Sequence, residues 1–352
     1  DTRVDGGTHC WLVSETSGTT GVPKPIAISH DVEDAQHSRQ LSVFAHRVGE
    51  RFVSLTGLQF SVGIKRALWC LREGATLALP PQGLSTPQLL EWLDEKEIRY
   101  LACVPVHLHN LLEAVAVDRP RLPRLRILRC GSAELTAALR ERVQRRLSPN
   151  LYIGYGLGEA GAVCAATPEM VAAHPATVGR PFDGVELQIV DGDDQPLSAG
   201  RVGRVRVRGP GIEASREASA FRAGWCYSGD VGTLDEQGLL YLEGLTDDLM
   251  NYDGIMVAPA EIEAALAQHP AILEAAAFAL PSAEHQHLPA VAFRSARPLA
   301  LEELERFCGE RLGARTPRVF LQVEAMPRNP MGKVLRRELA AIAQAQLAQR
   351  RR

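Results

Sequence analysis

Near the start of the 352-residue chain, Thr16-Ser17-Gly18-Thr19-Thr20-Gly21-Val22-Pro23-Lys24 crowds hydroxyls and glycines together and ends on a lysine. Glycines let backbone N–H groups turn toward one anion, the hydroxyls add donors, and Lys24 adds positive charge. The chemistry this suggests is phosphate binding. The stretch follows the strand-like run CWLVSE and precedes a helical pattern, the setting in which such loops work. No Gly-Lys-Ser/Thr closes it, so it is not a Walker A loop. Taken singly, it suits a Gly/Ser/Thr linker as well as a phosphate site.

Four further constellations follow it in order. Tyr155-Gly156-Leu157-Gly158-Glu159 comes directly after a strand-like run. Gly224-Trp225-Cys226-Tyr227-Ser228-Gly229-Asp230 ends on a carboxylate. Gly244-Leu245-Thr246-Asp247-Asp248 precedes the stretch Gly254 to Glu263, and Pro327-Arg328-Asn329-Pro330-Met331-Gly332-Lys333-Val334 lies near the C-terminus. Together the five resemble the ordered signatures of the adenylate-forming superfamily: acyl- and aryl-CoA synthetases, peptide-synthetase adenylation domains and luciferases. The resemblance runs from Thr16 to Val334, nearly the whole chain.

The resemblance implies roles for individual residues. Thr16, Ser17, Gly18, Thr19, Thr20, Gly21 and Lys24 would hold the phosphates of ATP. Tyr155 and Gly156 would sit by the adenine, Glu159 with Thr20 would hold Mg²⁺, and Asp230 would accept from the ribose hydroxyls. Asp247 would mark a hinge, and Lys333 would bridge the carboxylate substrate and the α-phosphate. Four positions depart from the pattern: Gly158 and Ser228 for threonine, Leu245 for arginine, and Pro25 where relatives commonly carry glycine. Leu245 is the most serious, since leucine donates no hydrogen bond.

Only four lysines, Lys24, Lys65, Lys96 and Lys333, stand among 39 basic residues. If lysine and arginine were interchangeable, both basic motif positions would be lysine by chance about 1% of the time. A compact ammonium is therefore required at Lys24 and Lys333.

The implied chemistry is attack of a carboxylate on the α-phosphate of ATP, giving an acyl-AMP that a thiol of CoA or of a carrier-protein pantetheine then captures. The barrier is largely repulsion between anions, so positioning and positive charge suffice and no general base is assigned. Gln59, Phe60, Gly131, Ser132, Ala133, Gly154 and Gly161 are the expected acyl-pocket residues. Gln59 stands where amino-acid-activating relatives carry an aspartate, so an aryl or aliphatic acid is expected over an α-amino acid. Phe60 serves core packing equally well. The rival readings are a catalytically weakened nucleotide- or acyl-binding module and a carrier-loading unit of an assembly line.

The elements that would position these residues can be read from periodicity. CWLVSE, RFVSLT, ATLAL, RYLACV, RLRILRC and LYIGY are expected strands. Residues 31–48 and STPQLLEWLDEKEI read as helices, as does the apolar series Leu135, Leu139, Val143 and Leu147. The pattern predicts an α/β region with a mostly parallel sheet. After about Gly179, VELQIV and VGRVRVRG predict a small antiparallel β subdomain, and a compact α+β lid unit follows. The expected boundaries are 1–243 for the large adenylation domain (β subdomain about 180–243), 244–248 for the hinge and 249–352 for the lid. Only fifteen residues precede Thr16, where the resemblance implies a large α/β region; a natural short form, an excised portion and a truncation remain open.

The net charge of −3 argues against a nucleic-acid partner or an acidic membrane surface. Apolar runs are too short to span a membrane, and no basic-then-apolar leader opens the sequence. Seven scattered cysteines without a CxxC pair suggest reduced thiols in a cytoplasmic setting. His107 with His109, and His285 with His287, could face one way on strands, but without further ligands they read as ordinary surface or core histidines.

Overall fold

Ile26 and Ile28 are buried while Ala27 between them is exposed, a period of two that makes KPIAIS a strand. In the computed structural model, β1 (Cys10–Thr16) and β2 (Lys24–Ser29) pair antiparallel with Thr16 opposite Lys24. The structure describes residues 7–16, 24–116, 118–133, 135–158, 160–212, 220–245, 250–253, 255–282, 285–329 and 332–350. Residues 17–23 of the phosphate loop therefore lie outside the described residues. The expected strand–loop–helix order is corrected: a six-residue strand separates the loop from α1 (His30–Ser38). The single helix expected over 31–48 is likewise two, α1 and α2 (Leu41–Phe44), interrupted at Arg39 and Gln40.

A parallel region follows: β3 (Arg51–Ser54), α3 (Ser61–Arg72), β4 (Thr76–Leu77), α4 (Thr86–Glu95), β5 (Tyr100–Cys103), α5 (Pro105–Glu113), β6 (Ile127–Gly131), α6 (Ala137–Arg146) and β7 (Leu151–Leu157). Then come β8 (Gly161–Ala166), α7 (Pro168–Ala173) and β9 (Arg180–Pro181). Strand order is β4-β3-β5-β6-β7-β8-β9; the first five are mutually parallel, and β8 and β9 are antiparallel. Every residue of β5 and β6 is buried, as expected where both faces of a parallel sheet are covered. Helix α4 starts on a Ser85–Gln88 capping box with proline in its first turn.

Helix α5 corrects one expectation. His107 and His109 lie on a helix, not a strand, and a spacing of two turns them to different faces. His107 Nδ1 accepts from Val104 N–H at 3.3 Å, and burial lowers the His107 pKa.

A second sheet has the order β10 (Glu186–Val190), β11 (Gly203–Arg208), β13 (Trp225–Leu234) and β12 (Phe221–Arg222), with β14 (Leu240–Leu245) also on β13. β10 and β11 are the antiparallel pair read from the sequence. The last segment holds β15 (Met250–Tyr252), β16 (Ile255–Val257), α8 (Pro259–Leu266), β17 (Ile272–Ser282), β18 (Gln286–Ser295), α9 (Leu301–Leu312), β19 (Val319–Gln322) and α10 (Arg336–Arg350). Alternation along β17 splits its core in two. Ala277 packs with Ile262, Leu266, Leu304 and Cys308 toward α8 and α9. Ala276 and Phe278 pack with Leu339 and Ala343 of α10.

The architecture is thus α/β with a mostly parallel sheet, a small antiparallel β region and a small α+β C-terminal part. The chain divides into two compact units, Asp1–Ser228 with Thr233–Tyr241, and Gly229–Gly232 with Leu242–Arg352. All seven cysteines are free, and only Cys10 is exposed. Among the described residues no helix is long and apolar enough to cross a membrane, and no group of three His, Cys, Asp or Glu could hold a metal ion. His285 instead pairs with Asp253, Nδ1 to Oδ2 at 3.0 Å.

Candidate active site

In an open parallel sheet, ligands bind beyond the carboxyl ends of the strands. That edge gathers most of the described candidates of the first unit. β3 leads into Gln59 and Phe60, β6 ends at Gly131 before Ser132 and Ala133, and β7 carries Gly154, Tyr155 and Gly156. Gly131 pairs with Gly154 across the β6–β7 ladder. A side chain at Gly131 would meet the Gly154 carbonyl oxygen at 2.6 Å, so the two strands require glycine there. Ser132, exposed, has φ +72°, a left-handed conformation that costs a serine energy and is often kept at functional sites.

Tyr155 is buried on β7 opposite Cys164. Just beyond it the β7–β8 register shifts, so that Gly156 faces Ala162 and Leu157 faces Gly161. Such a bulge re-aims the strand end. Gly156 has no room for a Cβ, which would stand 2.5 Å from Ala162 Cα, and Gly161 has φ +66°. Glu159 lies within this turn but outside the described residues.

The turn is braced from the C-terminal end of α1. Arg39 Nε donates to Ala162 O at 2.9 Å, Nη1 donates to Pro210 O at 2.9 Å, and Nη2 donates to Ala160 O. Burial pulls the Arg39 pKa down to about 10, partly offset by Glu33, so it stays charged at neutral pH. Gln36 Nε2 donates to Gly211 O at 3.0 Å, and its Oε1 accepts from Lys65 Nζ at 2.7 Å. Lys65 pairs with Glu33 at 2.9 Å, and Glu33 accepts from Trp69 Nε1 at 2.6 Å. Sequence reasoning missed this network. Its signal was the polar ladder Glu33, Gln36, Gln40 at helical spacing, with one of the four lysines, Lys65, inside an apolar stretch.

Gln59 is exposed, with its carboxamide folded over Gly57. Phe60, half-buried, precedes the first residue of α3. Neither carries a charge that could pair with an ammonium. Asp230 lies on β13, half-buried, after Gly229 with φ +76°.

In the second unit Lys333 sits on a tight turn. Arg328 and Val334 form a bridge, Lys333 N–H donates to Asn329 Oδ1 at 2.9 Å, and Gly332 takes φ +80°. The turn is tied to β17 on both sides: Arg328 pairs with Glu274, and Arg336 Nε donates to Ala277 O at 2.9 Å. Glu263 of α8 completes the anchor, accepting from Arg336 Nη2 at 2.8 Å and from Ala277 N–H at 2.7 Å. Among the described residues the half-buried Lys333 has no side-chain partner. Asp247 lies outside the described residues, and Leu245 is the last residue of β14.

Comparison with known proteins agrees with this fold. Residues 8–214 match the model of the AMP-binding enzyme family, and residues 261–333 match that of the AMP-binding enzyme C-terminal domain. A fatty acid–acyl-carrier-protein ligase of Streptomyces coeruleorubidus is 29% identical over 348 residues, 92% of this chain and 66% of the relative. The chain spans about two thirds of the length of the curated relatives it matches, 66% for each of two. Among solved structures, the amide bond synthetase McbA from Marinactinospora thermotolerans superposes with a TM-score of 0.84 at 27% identity, over 94% of this chain and 69% of that one. The o-succinylbenzoate CoA synthetase of Bacillus subtilis, solved with its acyl-adenylate intermediate, gives 0.81 at 26% identity, over 93% and 68%. The same synthetase has been solved with ATP and magnesium ion, again with a TM-score of 0.81, at 25% identity over 93% and 69%. With both models matched in order, and the first alone covering more than half of the sequence, the chain belongs to the AMP-binding enzyme family.

Proposed function

We propose that this chain activates a carboxylic acid, aryl or aliphatic rather than α-amino, as an acyl-AMP and passes the acyl group to a thiol of CoA or of a carrier-protein pantetheine. The observation that carries the reading is Lys333: an ammonium on a turn pinned at both sides, without a partner among the described residues. A buried or half-buried lysine held without a counter-charge is suited to an anionic substrate.

In the first half-reaction a carboxylate oxygen attacks the α-phosphorus, and the bond to the pyrophosphate oxygen breaks. Lys333 offsets the charge that builds up between the two anions. Tyr155 and Gly156 hold the adenine end, and Asp230 accepts from the ribose hydroxyls. In the second, the thiol sulfur attacks the acyl carbon and AMP leaves. Thr20 and Glu159 are a hydroxyl and a carboxylate, hard oxygen donors that fit Mg²⁺, which would neutralise phosphate charge when bound. Residues 1–243 would form the adenylation domain, 244–248 the hinge and 249–352 the lid. Six buried free thiols support a reducing, cytoplasmic setting.

The test is ATP–pyrophosphate exchange over a panel of carboxylic acids, with thioester formation measured against CoA and against a holo carrier protein. Exchange with aryl or aliphatic acids is expected. Exchange with amino acids alone would overturn the substrate reading. ATP binding without exchange on any acid would favour a nucleotide-binding module that has lost its chemistry, the reading that Gly158 and Leu245 support.

A further inference from the structure

Beneath the carboxyl edge of the sheet lie two buried guanidinium groups with donors left over. Arg66, on the second turn of α3, is 5% exposed, and Arg129, on β6, is 4% exposed. Neither Nε nor Nη1 of Arg66 has a hydrogen-bond partner, and neither does Arg129 Nε. Arg129 is otherwise fixed: its Nη2 donates to Gln40 Oε1 at 2.7 Å, and its guanidinium lies 3.8 Å over the Phe44 ring. The groups acting most strongly on Arg66 are Arg129, Tyr100, Cys103 and Cys130, none a carboxylate. Burial first, then Arg129, lowers the Arg66 pKa to about 10, which leaves it a cation at neutral pH.

Buried charges are ordinarily paired, and a buried donor without an acceptor is costly, the more so when it is charged. A like-charged pair with three idle N–H nitrogens is therefore shaped for an anion. Its place identifies which one. Arg129 Nε stands 3.6 Å, and Nη2 3.7 Å, from where a side chain at Gly154 would begin. Gly154 is a candidate pocket residue, and these two Arg129 nitrogens, with Phe44 Cε2 at 3.9 Å, are the atoms nearest to where its side chain would begin. Cys103 and Cys130 end the charged group's surroundings at the carboxyl tips of β5 and β6, one residue short of Gly131. The first turn of α3 packs on the same corner, since a Cβ at Gly63 would meet Thr56 O at 2.8 Å.

We propose that Arg66 and Arg129 form the floor of the acyl pocket and bind a second carboxylate at the far end of the substrate, so that the acid activated is a dicarboxylic acid. This rests on the acyl-activating reading above and narrows its substrate class. A guanidinium fork matches a planar carboxylate bidentately, which neither a hydrocarbon tail nor an ammonium could exploit. A monocarboxylic acid of the same length would leave the orphan donors desolvated and unpaired, the arrangement by which polar sites reject analogues.

The experiment uses the 352-residue chain with matched pairs of acids, succinic against butyric, adipic against hexanoic and phthalic against benzoic. Both ATP–pyrophosphate exchange and thermal shift by the acid alone are read. The expected result is a preference for the diacid in at least one pair of at least about tenfold in kcat/KM, together with a thermal shift by that diacid. Arg66→Met should abolish both the preference and the shift while leaving the ligand-free Tm unchanged or raised, because it removes an unpaired buried charge. Arg66→Lys, which keeps charge without the fork, should restore part of the preference. Exchange with monoacids at least as good as with diacids would overturn the proposal and leave acyl activation standing. Exchange with neither would instead strike the acyl-activating reading, and the thermal shift would still report on the arginine floor. A ligand-free Tm lowered in Arg66→Met, with no shift by any diacid in the parent chain, would assign Arg66 a purely structural role.

Discussion

Arg39 donates to the carbonyl oxygens of both Ala160 and Ala162, one on each side of Gly161, so a single guanidinium holds the β7–β8 turn at two points. The same side chain reaches Pro210 O, which ties that turn to the segment at 210–212. Lysine could not reproduce three divergent donations. Arg39→Met should therefore leave three carbonyl acceptors, that of Ala160 buried, short of a donor and lower stability by at least about 2 kcal/mol. Glu159 directly precedes the braced Ala160 in sequence, so the Mg²⁺ concentration giving half-maximal pyrophosphate exchange should rise in Arg39→Lys. A Mg²⁺ dependence like that of the parent chain would show that the brace does not position the turn.

The bulge at Gly156 makes a second prediction. An added methyl would stand 2.5 Å from the Cα of Ala162 and 2.8 Å from its nitrogen, both backbone atoms of the paired strand. Backbone cannot rotate away as a side chain can, so β7 and β8 must separate at the turn. Gly156→Ala should lower stability by about 2–4 kcal/mol, read by urea denaturation. Gly192→Ala is a matched control, since nothing lies within 4 Å of where its Cβ would stand and its φ is unremarkable. It should change little.

Acid sensitivity should have an identifiable contributor in His46. Burial lowers its pKa from 6.5 to about 4, against the raising influence of Glu73 and Glu50. Its ring stacks on Tyr100, with centroids 4.5 Å apart, and meets Phe52 edge-on at 4.7 Å. The unfolded chain thus takes up a proton that the folded chain refuses. Stability from this group is complete above pH 6.5 and is lost as pH falls toward about 4, with an upper bound of about 3 kcal/mol. Glu50 acts in the same direction lower down: burial raises its pKa, but the Arg126 hydrogen bond and charge outweigh that and hold it below its ordinary value. In Tm measurements from pH 7 to 4, His46→Phe should flatten the slope, because phenylalanine keeps the aromatic packing without the proton. An unchanged slope would locate the sensitivity elsewhere.

What the sequence disclosed follows from where information is local. Strands β3, β5, β6 and β7 were legible as short apolar runs, and β5 and β6 are buried on both faces. The spans of α4 and α6 were legible from helical patterning. Helix α3 was not, since Gly63 and the buried Lys65 and Arg66 blur its apolar stripe. Strand β2 was hidden for a different reason: KPIAIS is six residues long and abuts a helix, so its period of two covers too few positions. At the site, motif residues were identifiable one by one, but the partners that brace or floor them were not. Arg39, Gln36, Arg66 and Arg129 act through contacts between residues tens to more than a hundred positions apart, as in Arg39 with Ala162 and Arg129 with Gln40. Nothing in a single sequence announces which arginine will lack an acceptor.

Lys333 gives the prediction that bears most directly on mechanism. Its turn is fixed by Asn329, by the Arg328–Glu274 pair and by the Arg336–Glu263 pair, none of which uses the Lys333 side chain. Lys333→Ala should therefore leave Tm within about 1 kcal/mol equivalent of the parent, as expected where a side chain makes no internal contact. Acyl-AMP formation should fall at least about a hundredfold, since the charge offsetting two approaching anions is gone. Thioester formation from supplied acyl-AMP should fall far less, because in that step AMP departs from an acyl carbon and the two anions no longer meet. Glu263→Ala offers the contrasting case. It strips the partner from Arg336 and an acceptor from Ala277 N–H, so it should destabilise the second unit by about 3 kcal/mol or more and lower acyl-AMP formation by loosening the turn that presents the lysine. Equal losses of both half-reactions in Lys333→Ala would contradict a role confined to adenylation. Loss of acyl-AMP formation in Lys333→Ala with an equally large fall in Tm would show that the side chain acts through the fold instead.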